Sequence, residues 1–163
     1  MAKKILLKIR SEPAFYTLIG VSCHLMDYRL LHLLNKELGF NFSKEDDLKI
    51  NVPAMKQVIP FSFYTYKDED QRNSYNLIAN FSQDVVLVPE FKHTDFIMLI
   101  EGDLKKNKKD ALLKAIRSVP KVLTAFEIKV ADIKNPETFL TDIEMHLIDI
   151  RKETKTITKN LKG

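Results

Sequence analysis

Cysteine is nearly absent from this 163-residue chain: Cys23 stands alone. That excludes an internal disulfide and fits a reducing cytoplasm. Long apolar runs are missing too. None approaches the roughly 20 residues needed to span a bilayer, so no membrane is expected. The short apolar run ending at Ile9 has neither the length nor the small-residue cleavage site of a secretory leader. With only four glycines, the chain offers no Gly-rich loop for a phosphate. It also has no internal repeat, low-complexity linker or sign of a second domain. What is present, 45% hydrophobic and 29% charged residues, is the composition of a globular chain long enough to bury a full core.

The net charge of +4 is not spread evenly. Residues 151–163 hold Arg151, Lys152, Lys155, Lys159 and Lys162 against Glu153, so the excess lies in this tail. Residues 1–150 are neutral, with 21 basic and 21 acidic side chains. A body without a basic field argues against nucleic acid as a partner.

Lys3 to Ile9 alternates and reads as a strand, and Phe15 to Val21 as a second. Ser22 is a candidate N-cap for a helix over residues 23–38, with Leu31, Leu34 and Leu38 in its stripe and Gly39 as its stop. Leu48 to Val52 alternates like a short edge strand. Phe61 to Tyr66 and Tyr75 to Phe81 form an aromatic hairpin around a polar loop. Val85 to Val88 and Thr94 to Ile100 are further strands. Asn107 with Asp110 imitates a capping box for a helix over 107–118. Val122 to Val130 alternates, and Asn135-Pro136 starts a helix over about 136–155. These elements predict a single α+β domain: a mostly antiparallel sheet of five to seven strands with about three helices, largely on one face. Residues 1–135 form the core; 136–163 are a C-terminal helix with a basic tail, either part of the same domain or a dimerisation element.

Val88-Pro89-Glu90-Phe91-Lys92-His93-Thr94-Asp95-Phe96 breaks the strand pattern with a proline, two carboxylates and an imidazole. It resembles the signature of the IPExxxVDY family of bacterial proteins, which has no assigned activity. Pro89, Glu90 and Asp95 match it outright; Val88, Thr94 and Phe96 are conservative replacements. The passage through Gly20-Val21-Ser22 into Asp27-Tyr28-Arg29-Leu30 and Leu34-Asn35 is also similar to that family's N-terminal half. The resemblance covers residues 1 to about 130 and implies a fold order of helix, aromatic hairpin, signature and basic helix.

Glu90, His93 and Asp95 are the first candidates for chemistry. In an extended chain His93 and Asp95 share a side, roughly 6–7 Å apart, and a bulge at Pro89 brings in Glu90 as a ligand or general base. The structural alternative has both carboxylates accepting backbone N–H groups that an irregular strand leaves free. Without fixed histidines, the second reading is the stronger. Arg29 is a candidate partner for Glu90 or Asp95, which would tie the two family-like segments through one ion pair. His24 and His32 lie about 12 Å apart along a helix, too far for one metal ion. No metal or cofactor is expected. Tyr64, Tyr66, Tyr75 and Phe81 read as core pairs, since Lys67 and Arg72 between them are offset by acids. Lys105, Lys106, Lys108 and Lys109 read as a solvated helix start.

In the last helix, Leu140, Ile143, Leu147, Ile150, Thr154, Ile157 and Leu161 recur at spacings of three and four. A narrow seam suits helix pairing better than packing on a sheet. The alternative is that its first turns cover the sheet. Together these features point to a non-enzymatic cytoplasmic interaction or structural protein, homodimeric through Leu140, Ile143, Leu147, Ile150 and Ile157, with room for another protein partner. A ligand-binding or catalytic domain using Glu90 and Asp95 is the alternative, and nucleic-acid binding through the basic tail a third.

Overall fold

The computed structural model describes residues 16–162, and of residues 154–158, 160 and 162 the backbone alone. The expected strand Lys3 to Ile9 lies outside the described residues. The chain runs β1 (Tyr16–Cys23), α1 (Asp27–Leu38), β2 (Ser43–Lys44), β3 (Leu48–Val52), β4 (Gln57–Phe61), β5 (Phe63–Asp68) and β6 (Asn73–Ala79). It continues through β7 (Phe81–Ser82), β8 (Val85–Val86), β9 (Phe96–Glu101), α2 (Lys106–Arg117), β10 (Val122–Ile128) and α3 (Pro136–Lys162). Six strands make one sheet in the order β10-β1-β9-β6-β5-β2, and every neighbouring pair is antiparallel. β3 pairs with β4, and β7 with β8, in separate small hairpins. The α+β class and the mostly antiparallel sheet agree with the sequence reading.

Alternate residues go to opposite faces of a strand, and here both faces are dry. In β9, Ile97 and Leu99 join one core with α3 and the β3–β4 hairpin. Phe96, Met98 and Ile100 join a second core with α1 and α2. This explains why Phe96 to Ile100 reads as an unbroken apolar run. Of the three described helices, two share a face, while α3 covers the other. Each Leu, Ile or Phe so buried contributes about 1.5–3 kcal/mol.

Helix starts differ from the expected ones. Ser22 does not cap α1, because Ser22 and Cys23 extend β1 opposite Thr124 and Val122, with a register shift between them. The N-cap is Met26, four residues later, without a side-chain bond. Lys105 rather than Asn107 precedes α2, again without a side-chain cap. The expected stops hold better: Gly39 closes α1 at φ 68°, the left-handed conformation glycine tolerates. Gly20 matters for room. A Cβ there would lie 2.8 Å from Phe126 Cζ and 3.0 Å from Thr94 Cγ2, so the bare backbone lets the Val88–Phe96 segment lie close to the sheet.

Candidate functional site

Beyond β8 the chain makes one 3-10 turn, Pro89–Phe91, before it enters β9. Val88 packs in the core beneath α3, and Thr94 is buried. Asn80, at the end of β6, organises the whole excursion and is 0% exposed. Its Oδ1 accepts the Val88 N–H at 2.9 Å. Its Nδ2 donates to the carbonyls of Phe91 (2.9 Å) and Thr94 (2.8 Å). Its backbone N–H donates to Asp95 and its carbonyl accepts from Leu87. Sequence reading passed over Asn80. The available signal was an asparagine, carrying both donor and acceptor, directly after the apolar Leu77-Ile78-Ala79.

The carboxylates of Glu90 and Asp95 both serve the backbone. Asp95 Oδ2 accepts the Cys23 N–H at 2.9 Å, where the β1–β10 register shifts. The Asp95 N–H donates to Val21, extending the β1–β9 ladder by one bond. Glu90 Oε1 accepts the Lys134 N–H at 3.0 Å, just before α3. Glu90 and Asp95 thus reach different segments of the chain, and His93 is exposed, with its carbonyl taken by the Ser22 hydroxyl. Pro89 sits at the first position of the turn, where its missing N–H costs nothing. Among the described residues, no set of three His, Cys, Asp or Glu side chains is placed to hold a metal ion.

Arg29 does not pair with either acid. Leu30 and Leu34 take the buried stripe of α1, which turns Tyr28 and Arg29 to solvent. Asp27 has the partner instead: the Tyr64 hydroxyl donates to its Oδ2 at 2.5 Å, tying α1 to β5. Burial alone would raise the Asp27 pKa, but bonds from Tyr64, the Tyr28 N–H and Ser62, with Lys44 nearby, leave it below the ordinary carboxylate value. Burial, then the Asp27 bond and charge, push the Tyr64 phenol well above its ordinary value. Of the aromatic set, Tyr64 and Tyr75 are buried and Tyr66 stacks on Tyr75 at 5.5 Å, so core pairing describes them. Phe81 is set apart in β7. Of the lysine cluster, Lys109 pairs with Glu127 at 3.0 Å.

The proposed pairing seam on α3 is corrected in its first half. Leu140, Ile143, Leu147 and Ile150 are buried in the chain's own core, because a sheet face with Leu18, Phe63, Ile78 and Ile97 needs that cover. The side chain of Ile157 lies outside the described residues. The helix nevertheless continues unbroken to Lys162, and Leu161 is 83% exposed. No helix among the described residues is long and apolar enough to cross a membrane.

Two clefts flank α3. The first, about 300 Å3, lies between α3 and the loop before β3, lined by Asp46, Asp47, Asp142, His146, Asp149 and Glu153, among others. Burial raises the Asp142 pKa. A hydrogen bond with Asp46 and the charge of Asp46 raise that of Glu153, with small additions from burial and Asp149 and opposition from His146. His146 Nε2 lies 2.8 Å from the Asp46 carbonyl, and the ring meets Phe63 edge-on. The second cleft, about 250 Å3, lies between α3 and the far end of β5, β6 and β9. Its floor includes Asn76, 1% exposed. Asn76 Nδ2 donates to the Leu99 carbonyl at 3.1 Å, while its Oδ1 accepts no bond from a described residue. Leaving such an acceptor dry costs about 1–3 kcal/mol.

No protein-family model matches the chain, and no curated protein sequence does.

Proposed function

We propose that this chain is a non-enzymatic interaction protein of the cytoplasm, which pairs with a second copy of itself through the distal half of α3. We also read its Val88–Phe96 segment as the signature of the bacterial IPExxxVDY family. The observation that carries the pairing is the mismatch between helix and core. Among the described side chains the buried stripe of α3 ends at Ile150, but the helix runs to Lys162, roughly 18 Å farther. The described side chains beyond Ile150, at positions 151–153, 159 and 161, are all exposed, and a helical segment of that length that buries little is marginal in water; Leu161 stands in solvent. Its charge supports the same occupant. The net basic charge of residues 152–162 complements the acidic cleft beside α3 of a second copy, and an antiparallel arrangement satisfies both copies alike.

The alternative reading, ligand binding or catalysis by Glu90 and Asp95, has less support, since both carboxylates bond to backbone N–H groups. Nucleic-acid binding by the tail would require salt-sensitive binding that is lost with residues 151–163.

Leu161→Asp tests the pairing, because an exposed side chain can be changed without touching the core. Light scattering on the eluting protein should give about twice the chain mass for the parent and the chain mass for the variant, with the variant still melting cooperatively as a folded chain. The same mass for both contradicts the reading.

A further inference from the structure

The cleft at the far end of β5, β6 and β9 is built for a ligand with charge at both ends. Cross-strand register sets two rows on its floor: Lys67, Ser74 and Glu101 in one, and Thr65, Asn76 and Leu99 in the next. Neighbouring strands lie about 4.8 Å apart, so Lys67 and Glu101 stand on either side of Ser74 with opposite charge. The Ser74 hydroxyl makes no hydrogen bond among the described residues, and Asn76 Oδ1 accepts none. Leu147 and Ile150 of α3 form an apolar wall, and Arg151 spans the mouth to Glu101 at 3.1 Å. Thus an unpaired buried acceptor, a free hydroxyl, one acid, two bases and an aliphatic wall share one cleft of about 250 Å3. At roughly 30 Å3 per water, that is room for about eight waters or one small molecule.

We propose that this cleft binds a free α-amino acid with an aliphatic side chain. The ammonium group donates to Asn76 Oδ1 and the Glu101 carboxylate. The carboxylate accepts from Ser74 and lies near Lys67 and Arg151. The side chain rests on Leu147 and Ile150. A row of purely apolar residues would serve the core better at Asn76; an amide there is explained by a donor that enters from outside. This site goes beyond the pairing reading and does not depend on it.

The probes are L-leucine and L-valine, with N-acetyl-L-leucine amide as the control that keeps the side chain and loses both charges. Amide resonances of the full chain are followed by NMR during titration. L-leucine should shift Thr65, Ser74 and Asn76 saturably, and the control should not. Lys67→Ala, at an exposed position, and Ser74→Ala should each weaken the binding about tenfold while the rest of the spectrum stays in place. Asn76→Ala should abolish it, provided its spectrum remains that of the folded chain. No saturable shift with either amino acid, equal shifts with the control, or binding unchanged in both Lys67→Ala and Ser74→Ala would each overturn the assignment; the first would leave Asn76 to ordered water.

Discussion

Asn80 carries Val88: the side-chain Oδ1 takes the Val88 N–H at 2.9 Å, and the same amide holds the carbonyls of Phe91 and Thr94. One buried side chain thereby closes a loop of more than ten residues onto the end of β6. Asn80→Ala leaves the Val88 N–H and the Thr94 carbonyl without partners in a buried site, while the Phe91 carbonyl keeps the Thr94 N–H, so a loss of about 3 kcal/mol is expected. Urea unfolding measures it. A loss under about 1 kcal/mol would show that the loop is held by Val88 and Thr94 packing instead.

Glu90 and Asp95 should differ in weight. Asp95→Ala strips the Cys23 N–H of its acceptor at a part-buried strand irregularity and should cost about 1–2 kcal/mol. Glu90→Gln keeps an oxygen for the Lys134 N–H at an exposed site and should be near neutral. Paired denaturation curves decide this. If Glu90→Gln proved the costlier change, the backbone-acceptor account of the Val88–Phe96 segment would be wrong.

Tyr64→Phe should make stability less dependent on pH. The lowered Asp27 pKa stabilises the fold above the ordinary carboxylate value and ceases to do so as pH falls through the folded value. The raised Tyr64 pKa acts below the ordinary phenol value and is lost as pH rises through the folded one. The parent should therefore exceed the variant by about 1 kcal/mol between about pH 5 and 9. The gap should close at more acid pH. An equal difference at about pH 7 and about pH 3 would remove the hydrogen bond as its cause.

Acid should also loosen the pair. Asp142 and Glu153 titrate above their ordinary values, so the cleft begins to lose negative charge before typical carboxylates do. Light scattering at about pH 7 and about pH 4.5 should give a lower mass at the lower pH, and added salt should act the same way. Mass independent of both conditions would mean that charge plays no part.

Local pattern made much of the fold legible. The hairpin of β5 and β6, the Gly39 stop and the Asn135-Pro136 start all rest on short-range turn and cap chemistry; the two helix boundaries stand where the sequence placed them, while the hairpin strands sit two residues closer to their loop, leaving Phe61 to β4 and Phe81 to β7. The two-faced sheet did not show in the same way. Phe96 to Ile100 is apolar throughout, and a run without alternation cannot say which layers cover it. The seam on α3 misled for a related reason: a narrow stripe from Leu140 to Ile150 fits a sheet face as well as a second helix. Ser22 failed as a cap because its strand pairs on with β10, a long-range preference invisible in the local sequence. Of the candidate residues, Glu90 and Asp95 behave as the structural alternative described, whereas Arg29 and Asp27 took other roles once Leu30 and Leu34 fixed the rotation of α1. Asn76 and Asn80 were missed because burial, not residue type, gives them meaning.

The central claim is that the part of α3 beyond the core holds two copies together. Sedimentation equilibrium of the full chain and of a chain ending at Ile150 tests it most directly. The shortened chain keeps the buried Leu140, Ile143, Leu147 and Ile150; the contacts described beyond Ile150 that it loses include the Arg151–Glu101 ion pair, with Arg151 mostly exposed and the pair worth at most about 1 kcal/mol, and the Glu153–Asp46 bond. The account predicts a dimer for the full chain and a folded monomer for the shortened one. A monomer in both cases, or a dimer in both, would contradict it.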